Sequence, residues 1–183
     1  PFATAHAATL PVTSCADDGS PGTLRSVIAA AHDGDVVDMT QLTCGTITLE
    51  LGEIGTGDLR NLTLDGPGRD KLTISGGGVS PILHAQSYNL LFTVRDVTLA
   101  HGRTEPNKYE HSACLSSELG YLTIERVDIT DCHSYFNPVY GVHGGGAVSA
   151  GLLTMIDSTI TDSSVHLVDS DGSAQGGGAF AGR

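Results

Sequence analysis

Phe92-Thr-Val-Arg-Asp-Val-Thr-Leu-Ala-His-Gly102, Leu122-Thr-Ile-Glu-Arg-Val-Asp-Ile-Thr-Asp-Cys132 and Leu153-Thr-Met-Ile-Asp-Ser-Thr-Ile-Thr-Asp-Ser163 align one above another at offsets of 30 and 31 residues. A shorter copy, Leu62-Thr-Leu-Asp-Gly66, lies 30 residues before Phe92. A second element, Gly144-Gly-Gly-Ala-Val-Ser149, returns 32 residues later as Gly176-Gly-Gly-Ala-Phe-Ala181, and Ser112-Ala-Cys-Leu-Ser116 is a degraded copy. Within each copy the apolar residues alternate, at 92, 94, 97 and 99, at 122, 124, 127 and 129, and at 153, 155 and 160. Alternation is the strand signature, and the slip between 94 and 97 marks a bend that keeps apolar residues inside. Nothing between the copies has helical spacing, so the pattern predicts short strands coiled into a solenoid whose turns stack at roughly 4.8 Å. The expected fold is all-β, a parallel β-helix.

Stacking gives each column of residues a meaning. Thr93, Thr123 and Thr154 form an outward hydroxyl ladder, Asp96, Arg126 and Asp157 alternate in sign, and Arg95 faces Glu125. Cross-coil ion pairing accounts for these charges. One stretch departs from the strand pattern. Leu24, Val27, Ile28 and Ala31 have helical spacing, with Thr23 as N-cap and Gly34 beyond the end. This predicts an amphipathic helix over 23–33 that covers the open first coil. The expected organisation is a signal-peptide remnant at 1–7, a cap at 8–45 and coils at 46–183.

Composition fits a turn-rich chain. Glycine supplies 24 of 183 residues, about twice the usual share, and Trp is absent. Lys plus Arg total 9 against 21 Asp plus Glu, for a net charge of −12. Nucleic acid and anionic membrane surfaces are therefore excluded as partners, since both are bound through clustered cations. No apolar run approaches the roughly 20 residues that insert across a bilayer as a helix. Ala5-His6-Ala7 has the small-x-small form of a signal-peptidase site. Cys15, Cys44, Cys114 and Cys132 allow three pairings; their distribution suggests the local pairs Cys15–Cys44 and Cys114–Cys132. No pair has Cys-x-x-Cys spacing, which argues against zinc binding through thiolates.

Cys15-Ala-Asp-Asp-Gly-Ser-Pro-Gly-Thr-Leu-Arg-Ser-Val-Ile-Ala-Ala-Ala31, Gly34-Asp-Val-Val-Asp38, Leu42-Thr-Cys-Gly-Thr-Ile-Thr-Leu49 and Leu62-Thr-Leu-Asp-Gly-Pro-Gly68 resemble the cap and first coils of secreted bacterial right-handed parallel β-helix repeat proteins. The later repeats resemble coils of the pectin-lyase-like superfamily, which recur in polymorphic outer-membrane and autotransporter-like passengers. The resemblance covers nearly the whole chain. It implies a right-handed fold, a secreted or cell-surface location and the Cys15–Cys44 bond. It says little about activity, because the superfamily joins pectate lyases and polygalacturonases to adhesins. The Asn-Thr-Asp, Gly-His-Gly and Arg-Ile-Lys set of polygalacturonases and the Arg-x-Pro-x-x-Arg of pectate lyases are missing.

Three longer connections, 103–111, 133–142 and 164–175, fall at one point of the repeat. They carry Tyr109, Tyr135, Phe136 and Tyr140 together with His111, His133 and His166, and His143 follows one residue beyond the second. Aromatic faces on stacked loops suggest a glycan groove, with Tyr109, His111, His133, Tyr135, Phe136, Tyr140 and His143 as the ligand-binding set. The alternative is a polysaccharide lyase or hydrolase acting on acidic polysaccharide, with His101, Asp128, Asp131 and Asp162 as acid, base or calcium ligands. Asp169-Ser-Asp171-Gly172 resembles a calcium turn but falls far short of a full ligand loop. No other cofactor is implied. No histidine has evident partners for a Ser-His-Asp triad. Gly76-Gly-Gly78 lacks the lysine of a phosphate loop and is read as a corner with positive φ. The chain stops partway into a coil, which leads us to expect an end-to-end homodimer or a longer parent chain.

Overall fold

The computed structural model describes residues 7–106, 111–136, 145–167 and 177–181. β1 (Thr9–Pro11), the helix α1 (Leu24–Ala30), β2 (Val36–Asp38) and β3 (Thr46–Thr48) open the chain. One coil follows as β4 (Ile54–Gly55), β5 (Asn61–Asp65) and β6 (Thr73–Ser75), and the next as β7 (Leu83–His84), β8 (Leu91–Arg95) and β9 (Thr98–Ala100). Then come β10 (Leu115–Glu125), β11 (Asp128–Thr130) and β12 (His133–Phe136). The last described strands are β13 (Val148–Ile156), β14 (Thr159–Thr161), β15 (Ser164–Leu167) and β16 (Ala179–Ala181).

Every described strand pairs in parallel with a strand one coil away, in the orders β1-β2-β5-β8-β10-β13-β16, β4-β7-β10, β3-β6-β9-β11-β14 and β12-β15. The chain is an all-β parallel solenoid of about five turns with one short helix. Leu62, Phe92, Leu122 and Leu153 occupy one register column, and Thr63, Thr93, Thr123 and Thr154 the next. The inward residues Leu64, Val94 and Ile124 are fully buried, as are Ile74, Leu99 and Ile129 on the adjoining face. Each such side chain contributes about 1.5–3 kcal/mol by leaving water. The glycine-rich elements pair one residue away from their sequence match: Val148 lies opposite Ala179, which sets Phe180 opposite Ser149.

The bend after each first strand is made by Asp96, Arg126 and Asp157, with φ of 56°, 53° and 46°, and the next by His101, Asp131 and Asp162, with φ of 57°, 54° and 48°. Asp and His tolerate this left-handed conformation better than most residues. Gly77 and Gly78 do turn at positive φ, but the regular corners are not glycines. Gly102 serves close approach instead. A Cβ there would sit 2.3 Å from the Ala113 carbonyl oxygen and 2.5 Å from Cys114 Sγ.

The helix is shorter than its periodicity suggests. Thr23 caps it by accepting from Ser26 N, and it ends at an extended Ala31. The Asp35 carboxylate accepts from both His32 N and Ala8 N at 2.8 Å, drawing 32–35 into a turn toward β2. Leu24 and Ile28 close the apolar end of the core, while β1 takes the backbone edge of the sheet. Arg25 ties this cap to the first coil. Its guanidinium makes a two-point pair with Asp17 and donates to the carbonyls of Gly52 and Glu53, while Asp17 accepts from Glu50 N and Leu51 N. The disulfides are Cys15–Cys44 and Cys114–Cys132. At the other end Met155 is 39% exposed although its register partner Ile124 is fully buried, because no described strand stacks on this half of β13.

Candidate functional site

β12 alternates outward His133 and Tyr135 with inward Ser134 and Phe136. Its register partner β15 places Ser164 beside His133 and His166 beside Tyr135, and Arg103 bridges to His133 from the preceding coil. Three coils thereby contribute to one edge. The left-handed corners then aim His101 and Asp131 at the same place.

The result is a continuous polar ladder. Asp131 Oδ2 lies 2.6 Å from His101 Nδ1, and Asp131 Oδ1 lies 2.8 Å from His133 Nε2. His133 Nδ1 is 2.7 Å from Ser164 Oγ, which is 2.7 Å from His166 Nε2. The His166 ring stacks on Tyr135 at 4.7 Å and 12°, and the Arg103 guanidinium sits 4.4 Å over the same tyrosine ring. Thr104 is buried and holds the Tyr135 backbone through both N–H and carbonyl. The bond to His101, then that to His133, holds the Asp131 carboxyl below its usual range.

Several expected contributors stand elsewhere. Phe136 is buried, on the inward phase of β12, so its ring is not offered to a ligand. His111 is also buried and packs on His84 rather than on the ladder. Asp128 points from the adjoining face, where Thr159 Oγ1 donates to it at 2.8 Å and Arg69 lies 3.4 Å away. Asp162 repeats the corner of Asp131, exposed and one coil on. Tyr109, Tyr140, His143, Asp169 and Asp171 lie outside the described residues, as does the signal-peptide stretch before residue 7.

His133 does have the partners of a Ser-His-Asp chain, contrary to the sequence reading, since the register brings Ser164 to its Nδ1 while Asp131 reaches its Nε2. The Ser164 N–H is committed to the Cys132 carbonyl at 3.0 Å, so it does not serve as an oxyanion donor. Arg103 and Ser164 were not singled out by motif. Writing His101-Gly-Arg103 above Asp131-Cys-His133 and Asp162-Ser-Ser164 would have found them. The chain matches no protein-family model, no curated protein and no solved structure.

Proposed function

We propose that this protein is a secreted or cell-surface recognition scaffold, a right-handed member of the β-helix class that binds glycan along the edge carrying His101, Asp131, His133, Tyr135 and His166. The observation that carries this reading is the ladder itself: hydrogen-bonding side chains from three successive coils, joined at 2.6–2.8 Å on the outer surface. Stacked strands advance ~4.8 Å per coil, so a sugar chain laid along the axis meets fresh donors and acceptors at nearly every unit. Both faces of Tyr135 are covered by Arg103 and His166. Recognition therefore runs through ring edges, hydroxyls and the guanidinium rather than through sugars stacked on the tyrosine face. Disulfides for all four cysteines support an oxidising, extracellular location.

A glycan array including neutral and uronate polymers tests the proposal. Binding by the wild-type chain and its loss in folded His133→Ala and Tyr135→Ala variants is expected; retention in both variants refutes it. Arg103 beside a His-Asp-His cluster favours a second reading, cleavage of acidic polysaccharide with Arg103 pairing a uronate carboxylate and an imidazole as base. Product release from polygalacturonate or alginate, with calcium present, that disappears in His133→Ala would support it; no release rejects it.

A further inference from the structure

Away from the ladder, Glu53, His84 and His111 converge from three successive coils. One ligand atom from each lies within 4.8 Å of the other two. Glu53 Oε1 is 3.2 Å from His111 Nε2, and Glu53 Oε2 is 3.9 Å from His84 Nδ1. We propose that these three side chains bind a divalent transition-metal ion of the zinc class.

Several observations carry this. Glu53 Oε1 is buried and accepts no hydrogen bond, even though His111 Nε2 is within reach. A buried carboxylate oxygen without a donor loses its hydration uncompensated, and a bound cation removes that cost. His111 Nδ1 lies 3.2 Å from the Ser112 carbonyl oxygen. An N–H donated there leaves the Nε2 lone pair directed at Glu53, and this is the outer contact that usually orients a metal-binding imidazole. The two imidazole rings are 4.0 Å apart.

The carboxylate is also held in place. Arg25 donates to the carbonyls of Gly52 and Glu53, so the cap that seals the core fixes the backbone of the ligand. A tetrahedral zinc ion with ligands about 2.0–2.1 Å away spaces its ligand atoms roughly 3.3 Å apart, and small side-chain rotations bring this cluster there. Two imidazoles with one carboxylate select zinc-type ions over calcium, which takes six or more oxygens. Three protein ligands leave a fourth position for water or an exogenous group. The ion would staple three coils together.

The test is titration of the metal-stripped chain with Zn²⁺ by calorimetry, together with the visible spectrum of the Co²⁺ form. We expect one ion per chain with a Kd of about 1 μM or below, intense tetrahedral Co²⁺ bands, and at least tenfold weaker binding in both Glu53→Gln and His84→Ala. The Glu53→Gln change preserves shape, so its loss of binding separates ligation from folding. His133→Ala, in the ladder, should bind as the wild type does. Absence of saturable Zn²⁺ binding, unchanged affinity in Glu53→Gln and His84→Ala, or loss confined to His133→Ala would each overturn the proposal.

Discussion

Replacing Asp17 with alanine removes the acceptor at the centre of the joint between cap and solenoid. The Asp17 side chain is 1% exposed and that of Arg25 is 21% exposed. Both carboxylate oxygens receive Arg25 at 2.8 Å, and one also receives Glu50 N and Leu51 N at 2.9 and 3.0 Å. The substitution leaves a largely buried guanidinium without its counter-ion, a loss of about 3–5 kcal/mol, and strands two amide donors. These costs overlap, so we expect about 4 kcal/mol in all. For a chain of this length that lowers Tm by roughly 8–16 °C. Urea unfolding followed by circular dichroism measures it. Removing both charges in Asp17→Ala with Arg25→Met leaves no orphan ion and should recover at least about 1 kcal/mol. A cost below about 1 kcal/mol for the single variant, or a double variant no more stable than it, refutes the reasoning.

Other parts of the fold make equally definite demands. Gly102→Ala places a methyl group 2.3 Å from the Ala113 carbonyl oxygen, and thermal unfolding should show a loss of about 1–3 kcal/mol; an unchanged Tm contradicts the close approach. Cys15→Ser with Cys44→Ser opens a loop of 29-residue separation and should lower stability by about 3–4 kcal/mol in chemical denaturation, against no change if the cap is held by Arg25 alone. Backbone hydrogen bonds from Ala8 and then His32 hold the Asp35 carboxyl below its usual value. A depressed folded-state pKa stabilises fully above the unfolded value of about 3.9 and is lost as pH falls through the folded one. The stability gap between wild type and Asp35→Asn should therefore be constant near neutrality and shrink below pH ~4; a gap that persists in acid removes the linkage.

The solenoid was legible because a parallel coil writes its geometry into the chain. Residues 30 apart become neighbours, so Phe92 aligns with Leu122 in sequence and in register alike. The corners were not legible as such. Asp96 and Arg126 look like charges on an ion-pair face, which they also are, with Arg126 donating to both oxygens of Asp96; their positive φ carries no sequence mark comparable to glycine. The helix end was misjudged because Asp35, four residues beyond Ala31, captures the amide of His32. Within the candidate site, His101, Asp131, His133 and Tyr135, which the columns and loops single out, do meet on one edge. Phe136 was misread because loop composition does not reveal that β12 continues alternating into the connection. His111 was misplaced for a related reason: its position depends on how 111–114 re-enters the stack, and there it meets Glu53 and His84 from coils with no visible motif.

The most direct measurement of the central claim is residue-resolved NMR of the histidine and tyrosine side chains during titration with the best-binding oligosaccharide from the array. Saturable shifts are expected at His101, His133, Tyr135 and His166, with His84 and His111 unmoved. Shifts absent from that edge, or confined to residues elsewhere on the solenoid, would contradict it.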